Sequence, residues 1–152
     1  MQAPATSADT AFADAEAHLR TLLAEDGVHV LHFWAPWCDN SMRELDATWP
    51  DLVARYPDVR FTFVTVWDDG RSARETMRVH GLPETIGEVT IADPGPSEVK
   101  ENRRREVLGL PLTWIPSTWI FHKNGQLAFA LNYGEMDAAT LGTLLEATWR
   151  AW

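Results

Sequence analysis

The sequence predicts a mixed α/β fold, one central sheet flanked by helices, on three observations. Helical and strand periodicities alternate through the first two thirds of the chain. A hairpin signal then follows, STWIFH and QLAFAL around Lys123-Asn124-Gly125, and an amphipathic segment beginning at Asp137 closes the chain. Strands separated by helices favour parallel pairing and a hairpin adds antiparallel pairing, so the sheet is expected to be mixed. With 152 residues, no internal repeat and no linker, the chain reads as one domain over 1–152, with residues 1–8 expected to be flexible.

The elements follow in order. Phe12, Ala15, Leu19, Leu22 and Leu23 share one helical face and Gly27 stands where a C-cap belongs, which predicts a helix from about Asp9 to Glu25. Val28 to Trp34 is short, apolar and rich in β-formers, hence a buried strand. It runs into PWCDNSMRELDATW, where Met42, Leu45, Trp49 and Leu52 return to helical spacing, so Cys38 falls at a strand-to-helix junction. FTFVTVW (Phe61 to Trp67) predicts a second buried strand, and a helix is expected after Asp69 through Val79. GLPETIGEVTIADPGP is a turn-rich connection with one short strand, and Ser97 to Leu108 is a helix candidate. The closing helix carries Leu141, Leu144, Leu145 and Trp149 on one side. Trp34, Trp67, Trp119 and Trp149 sit on periodic apolar patterns and are assigned to the core.

Composition removes several function classes. Hydrophobic residues at 45% and charged residues at 23% are ordinary globular usage and argue against disorder. A formal net charge of −9 repels nucleic-acid backbones and anionic membranes, so neither is an expected partner. The first twenty residues lack a positive charge followed by an apolar core, and no run approaches the ~18 apolar residues of a membrane helix. A soluble protein is expected, cytoplasmic as written, or periplasmic or secreted if a leader has been removed. His18, His80 and His122 are scattered and His29 and His32 point to opposite faces of one strand, so no metal site is expected. The run Arg103-Arg104-Arg105, bracketed by Glu98, Glu101 and Glu106, reads as a solvated helix face.

The one cysteine narrows the chemistry further. With Cys38 alone the chain closes no internal disulfide and runs no internal dithiol cycle, so any thiol chemistry borrows a second sulfur. At a helix N-terminus, unpaired backbone N–H groups and the helix dipole favour an anion, which lowers a thiol's pKa and raises the share of the nucleophilic thiolate. Asp39 opposes that effect and Arg43 supports it. The bland alternative is that Cys38 is a small buried hydrophobe.

HFWAPWCDNS (His32 to Ser41) resembles the strand and active-site turn of the thioredoxin superfamily, and WIPST (Trp114 to Thr118) resembles its cis-proline loop before a β-hairpin. The interval between Cys38 and Pro116 is longer than in minimal thioredoxins and is similar to the TlpA/ResA-like branch of thiol-disulfide oxidoreductases. The resemblance covers about Val28 to the C-terminus. It implies a thioredoxin-like fold with a TlpA-type insertion before the cis-Pro loop, a cis Pro116 packed against Cys38, and an Ile115 backbone left to pair with an extended substrate peptide. Trp37 and Trp114 flank the two loops and are candidates for an exposed apolar docking surface.

The departures matter as much. Where the family has Cys-x-x-Cys, this chain has Cys38-Asp39-Asn40-Ser41, and the Ser41 hydroxyl does not release a mixed disulfide. It is expected to donate a hydrogen bond to the Cys38 thiolate. The buried acid common six residues before the nucleophile is replaced by His32, a candidate proton carrier or else a satisfied core histidine. Asp46 stands where the family's helix often has proline, and Pro50 lies one turn later, which shifts the expected kink. A one-cysteine peroxiredoxin is excluded because its pattern needs threonine at position 35, occupied by Ala35. The long insertion and WIPST fit monothiol glutaredoxins poorly.

The expected function is therefore thiol-disulfide exchange through one nucleophile, acting on a disulfide-bearing or glutathionylated protein or peptide. It needs no cofactor beyond an external thiol such as glutathione. The alternatives are a redox-inactive module binding client peptides, and a trapping variant in which serine replaces a resolving cysteine.

Overall fold

The computed structural model describes residues 6–132 and 134–151. Its elements run α1 (Ser7–Leu23), β1 (His29–Trp34), α2 (Asp39–Ala47), α3 (Trp49–Arg55), β2 (Arg60–Thr65), α4 (Ala73–Val79) and β3 (Gly87–Thr90). After a 3₁₀ turn at Lys100–Asn102 come β4 (Glu106–Val107), β5 (Leu110–Pro111), β6 (Ser117–Phe121), β7 (Leu127–Leu131) and α5 (Ala138–Ala151). The main sheet has the order β3-β2-β1-β6-β7. β1 and β2 pair in parallel, as do β2 and β3, while β6 runs antiparallel to β1 and β7. The mixed sheet is thus as expected, and β1 lies at its centre.

All six residues of β1 are buried, as a central strand covered on both faces requires. Its alternation divides the core in two. Val30 and Trp34 pack with Leu45, Trp49 and Leu52 beneath α2 and α3 and with Leu141 and Leu145 of α5. Leu31 and Phe33 pack on the opposite face with Ala15 and Leu19 of α1 and with Val107, Leu112 and Ile115 of the long connection. Pro50 has no N–H for the Asp46 carbonyl, and its ring would meet that carbonyl, so the helix breaks at Thr48 and restarts as α3.

Four expectations are corrected. α1 begins at Ser7 because the Thr6 hydroxyl accepts from the Asp9 N–H while the Asp9 carboxylate accepts from the Thr6 N–H, a capping box that the flexible-terminus reading of 1–8 overlooked; residues 1–5 lie outside the described residues. The helix ends at Ala24, and Gly27 supplies a positive φ of 109° in the turn into β1. Trp149 is 39% exposed, with the Lys123 ammonium 4.7 Å above its ring. Most important, Ser97–Leu108 is not a helix. The Asp69 carboxylate takes the Ser97 N–H and hydroxyl at 2.8 and 2.6 Å. Further on, Leu108 and Gly109, both at positive φ, turn β4 back onto β5. No helix among the described residues is long and apolar enough to cross a membrane.

Candidate active site

β1 ends in the turn that delivers Cys38. The Cys38 N–H donates to Ala35 O at 3.1 Å, and Cys38 O accepts from Met42 N–H at 3.0 Å, which sets the residue as the N-cap of α2. Its sulfur makes no capping hydrogen bond and is half-buried. The thiol thus stands at the N-terminus of α2 without a bond to the N–H groups of its first turn and remains open to a partner.

The sulfur borders a groove of about 350 Å³ between the β1–α2 turn and the loop before β6. Trp37, Trp114 and Ile115 all line it beside Cys38, so the structure brings these expected substrate residues together. Trp114 is 54% exposed. The Ile115–Pro116 peptide bond is cis. Pro116 itself is buried next to Ile115. The β1–β6 register ends at Phe33–Ser117, leaving the Ile115 backbone outside the sheet.

Beneath this rim lies a buried polar nest. Ser41, Glu44 and Leu45 are the buried residues of α2. The Ser41 hydroxyl accepts from Ala35 N–H at 3.4 Å, so it ties the turn to the helix rather than bonding the Cys38 sulfur as expected. Glu44 Oε1 accepts from Trp49 Nε1–H at 2.7 Å and Oε2 from Met136 N–H at 2.8 Å. Burial pushes the Glu44 acid up to about 7, against those two donors.

His32 is fully buried, with Nδ1 3.0 Å from the Thr118 hydroxyl and its ring 4.3 Å from Trp49. Its Nε2 lies 3.1 Å from Glu44 Oε1 but off the direction a hydrogen bond needs, so that nitrogen is unsatisfied. Burial holds His32 down to about 3, with the Ser117 backbone opposing. The ring is thus neutral at physiological pH, and the buried group that changes charge near neutrality is Glu44. Sequence reading missed this acid, although Ser41, Glu44 and Thr48 recur at the spacing of one helical face. Among the described residues, no three of His, Cys, Asp and Glu are grouped to hold a metal ion.

Solved structures share this arrangement of elements. The chain is similar to a DsbF homologue from Corynebacterium diphtheriae, with a TM-score of 0.61 at 20% identity over 82% of this chain and 73% of that one. A thiol-disulfide isomerase from Corynebacterium glutamicum superposes with a TM-score of 0.60 at 14% identity, covering 87% and 86%. StoA from Bacillus subtilis gives 0.55 at 18%, covering 79% and 83%. No family model and no curated protein matches the chain. The protein has a thioredoxin-like fold, with the junction that carries Cys38 at the C-terminal end of its central strand.

Proposed function

We propose that this protein is a monothiol thiol-disulfide exchange enzyme of the thioredoxin superfamily, with Cys38 as its nucleophile. The observation that carries the reading is the half-buried sulfur at the N-cap of α2, free of a capping bond and open to a groove. The Cys38 thiolate attacks a disulfide, the departing thiolate takes up a proton, and an external thiol resolves the mixed disulfide because Ser41 does not. Glu44, held near neutrality roughly 9 Å further along α2, is assigned the proton store first expected of His32. Ser41 is a positioning residue for the turn. The thiol-disulfide isomerase chemistry named for the Corynebacterium glutamicum neighbour supports the same class.

The test is the rate at which Cys38 exchanges with the neutral 2-hydroxyethyl disulfide at pH 7, in folded protein and in urea, followed by intact mass. Exchange roughly three- to thirtyfold faster in the folded chain is expected, the factor that a helix N-terminus gives an anion. A thiol that reacts only on unfolding would overturn the reading and favour a binding module.

A further inference from the structure

The Arg103-Arg104-Arg105 run is neither helical nor a uniformly solvated face. It lies in extended backbone between the 3₁₀ turn and β4, where successive side chains point to opposite sides. Arg104 turns toward α1, pairing with Asp9 at 2.9 Å and standing 4.6 Å over Phe12. Arg103 and Arg105 turn the other way and, with Lys100, line the groove beside Cys38. No carboxylate lines it. In a chain of net charge −9, Arg43, Arg55, Arg60, Arg78, Arg104 and Arg150 have carboxylate partners, whereas these three cations have none at ion-pair distance among the described residues.

The groove floor is built to hold this arrangement. Trp67 adopts a left-handed φ of 52°, a conformation that costs a bulky residue about 1–3 kcal/mol and persists only when its surroundings impose it. Its N–H donates to Asp93 Oδ2 at 2.9 Å, its indole N–H to Arg104 O at 3.1 Å, and its carbonyl accepts from the Trp37 indole. The Arg103 guanidinium lies 5.0 Å over the Trp67 ring and donates from Nε to Ser97 O at 2.6 Å, leaving its terminal nitrogens without an acceptor among the described residues. The volume suits a small molecule rather than a folded segment.

We propose that the groove binds the carboxylate-bearing half of a small disulfide, the half that a thiol such as glutathione supplies, and that Cys38 accepts this half during exchange. The inference rests on Cys38 being the nucleophile. Its thiolate attacks the sulfur of the small anionic half: the Sγ–S bond forms, the original S–S bond breaks, and the other half departs as a thiolate that takes up a proton. A second small thiol, as thiolate, then attacks the docked sulfur, forming a new S–S bond and returning Cys38 as thiolate. One disulfide is consumed and one is formed, with no net oxidation.

The test compares mixed-disulfide formation at Cys38 with glutathione disulfide, cationic cystamine and neutral 2-hydroxyethyl disulfide, using a short cysteine peptide as reference. A glutathione-over-cystamine rate ratio roughly tenfold or more above the peptide's is expected at low salt. It should shrink as the screening length falls from ~30 Å at 0.01 M to ~8 Å at 0.15 M salt, and invert in Lys100→Glu/Arg105→Glu, whose native side chains are exposed. A ratio equal to the peptide's, with Cys38 still reacting, would overturn charge selection and leave the exchange function standing. A long glutamate-flanked cystine peptide reacting faster than glutathione disulfide would overturn the small-molecule assignment. No reaction with any disulfide would overturn exchange itself.

Discussion

α2 carries two ionisable groups in opposite circumstances. At its N-terminus, Cys38 borders a cation-lined groove and meets solvent. In its second turn, Glu44 is enclosed by Trp49, His32 and the Met136 backbone. One helix thus presents a thiol outward and holds an acid inward. The acid's protonation is set chiefly by burial and not by a charged partner, since His32 beside it is itself neutral. In the proposed exchange the rim would select and react and the nest below it would store a proton, while Ser41 ties the turn to the helix.

The largest effect tests the rim. Cys38→Ala should abolish disulfide exchange in an assay with 2-hydroxyethyl disulfide, while urea unfolding moves by no more than about 0.5 kcal/mol, because the sulfur makes no capping bond. Residual exchange would show that no thiol at this position is needed. Ser41→Cys should have the next largest effect. Ser41 lies one turn from Cys38 on the buried side of α2, so a thiol there should resolve the mixed disulfide and make single-turnover release independent of added thiol. Release that still waits for external thiol would mean the turn keeps the two positions apart.

These two regions also differ in how well they could be read from residues alone. β1, the β6–β7 hairpin and the junction at Cys38 are short-range patterns: an apolar run, a turn tripeptide, and a strand meeting a helical stripe. The Trp37, Trp114 and Ile115 loops required the resemblance to bring distant segments together. The segment from Ser97 to Leu108 is misread because its conformation is imposed from outside, by Asp69 on Ser97 and by Asp93, Ala92 and Asp9 on Arg104. Local periodicity contains none of those partners, and the three cations of the groove were hidden with it. Glu44 was overlooked for a related reason: a glutamate in a helix reads as solvent-facing until the docking of Met136 and Trp49 encloses it.

The smallest effect bears on the nest and appears only as a pH dependence. Glu44 is raised from an ordinary 4.5 to about 7 on folding, so the folded chain holds a proton that the unfolded chain releases. Its contribution to stability is full below about pH 4.5 and is lost as pH rises through about 7, roughly 3 kcal/mol in all. His32, lowered from 6.5 to about 3, has the opposite sign: its contribution is present above about pH 6.5 and is lost as pH falls toward 3. Between pH 4.5 and 6.5 the two slopes cancel, and these groups together give a plateau. Glu44→Gln removes one slope and also the repulsion from nearby Glu135. Relative to the native chain, the variant should therefore gain stability steadily from pH 5 to pH 8, by up to about 3 kcal/mol, in urea unfolding at pH 5, 6.5 and 8. Its exchange rate should lose the pH dependence near 7 that a proton store imparts. A stability difference that is constant across the three pH values would show that Glu44 titrates as a solvated acid, and the distinction between rim and nest would then disappear.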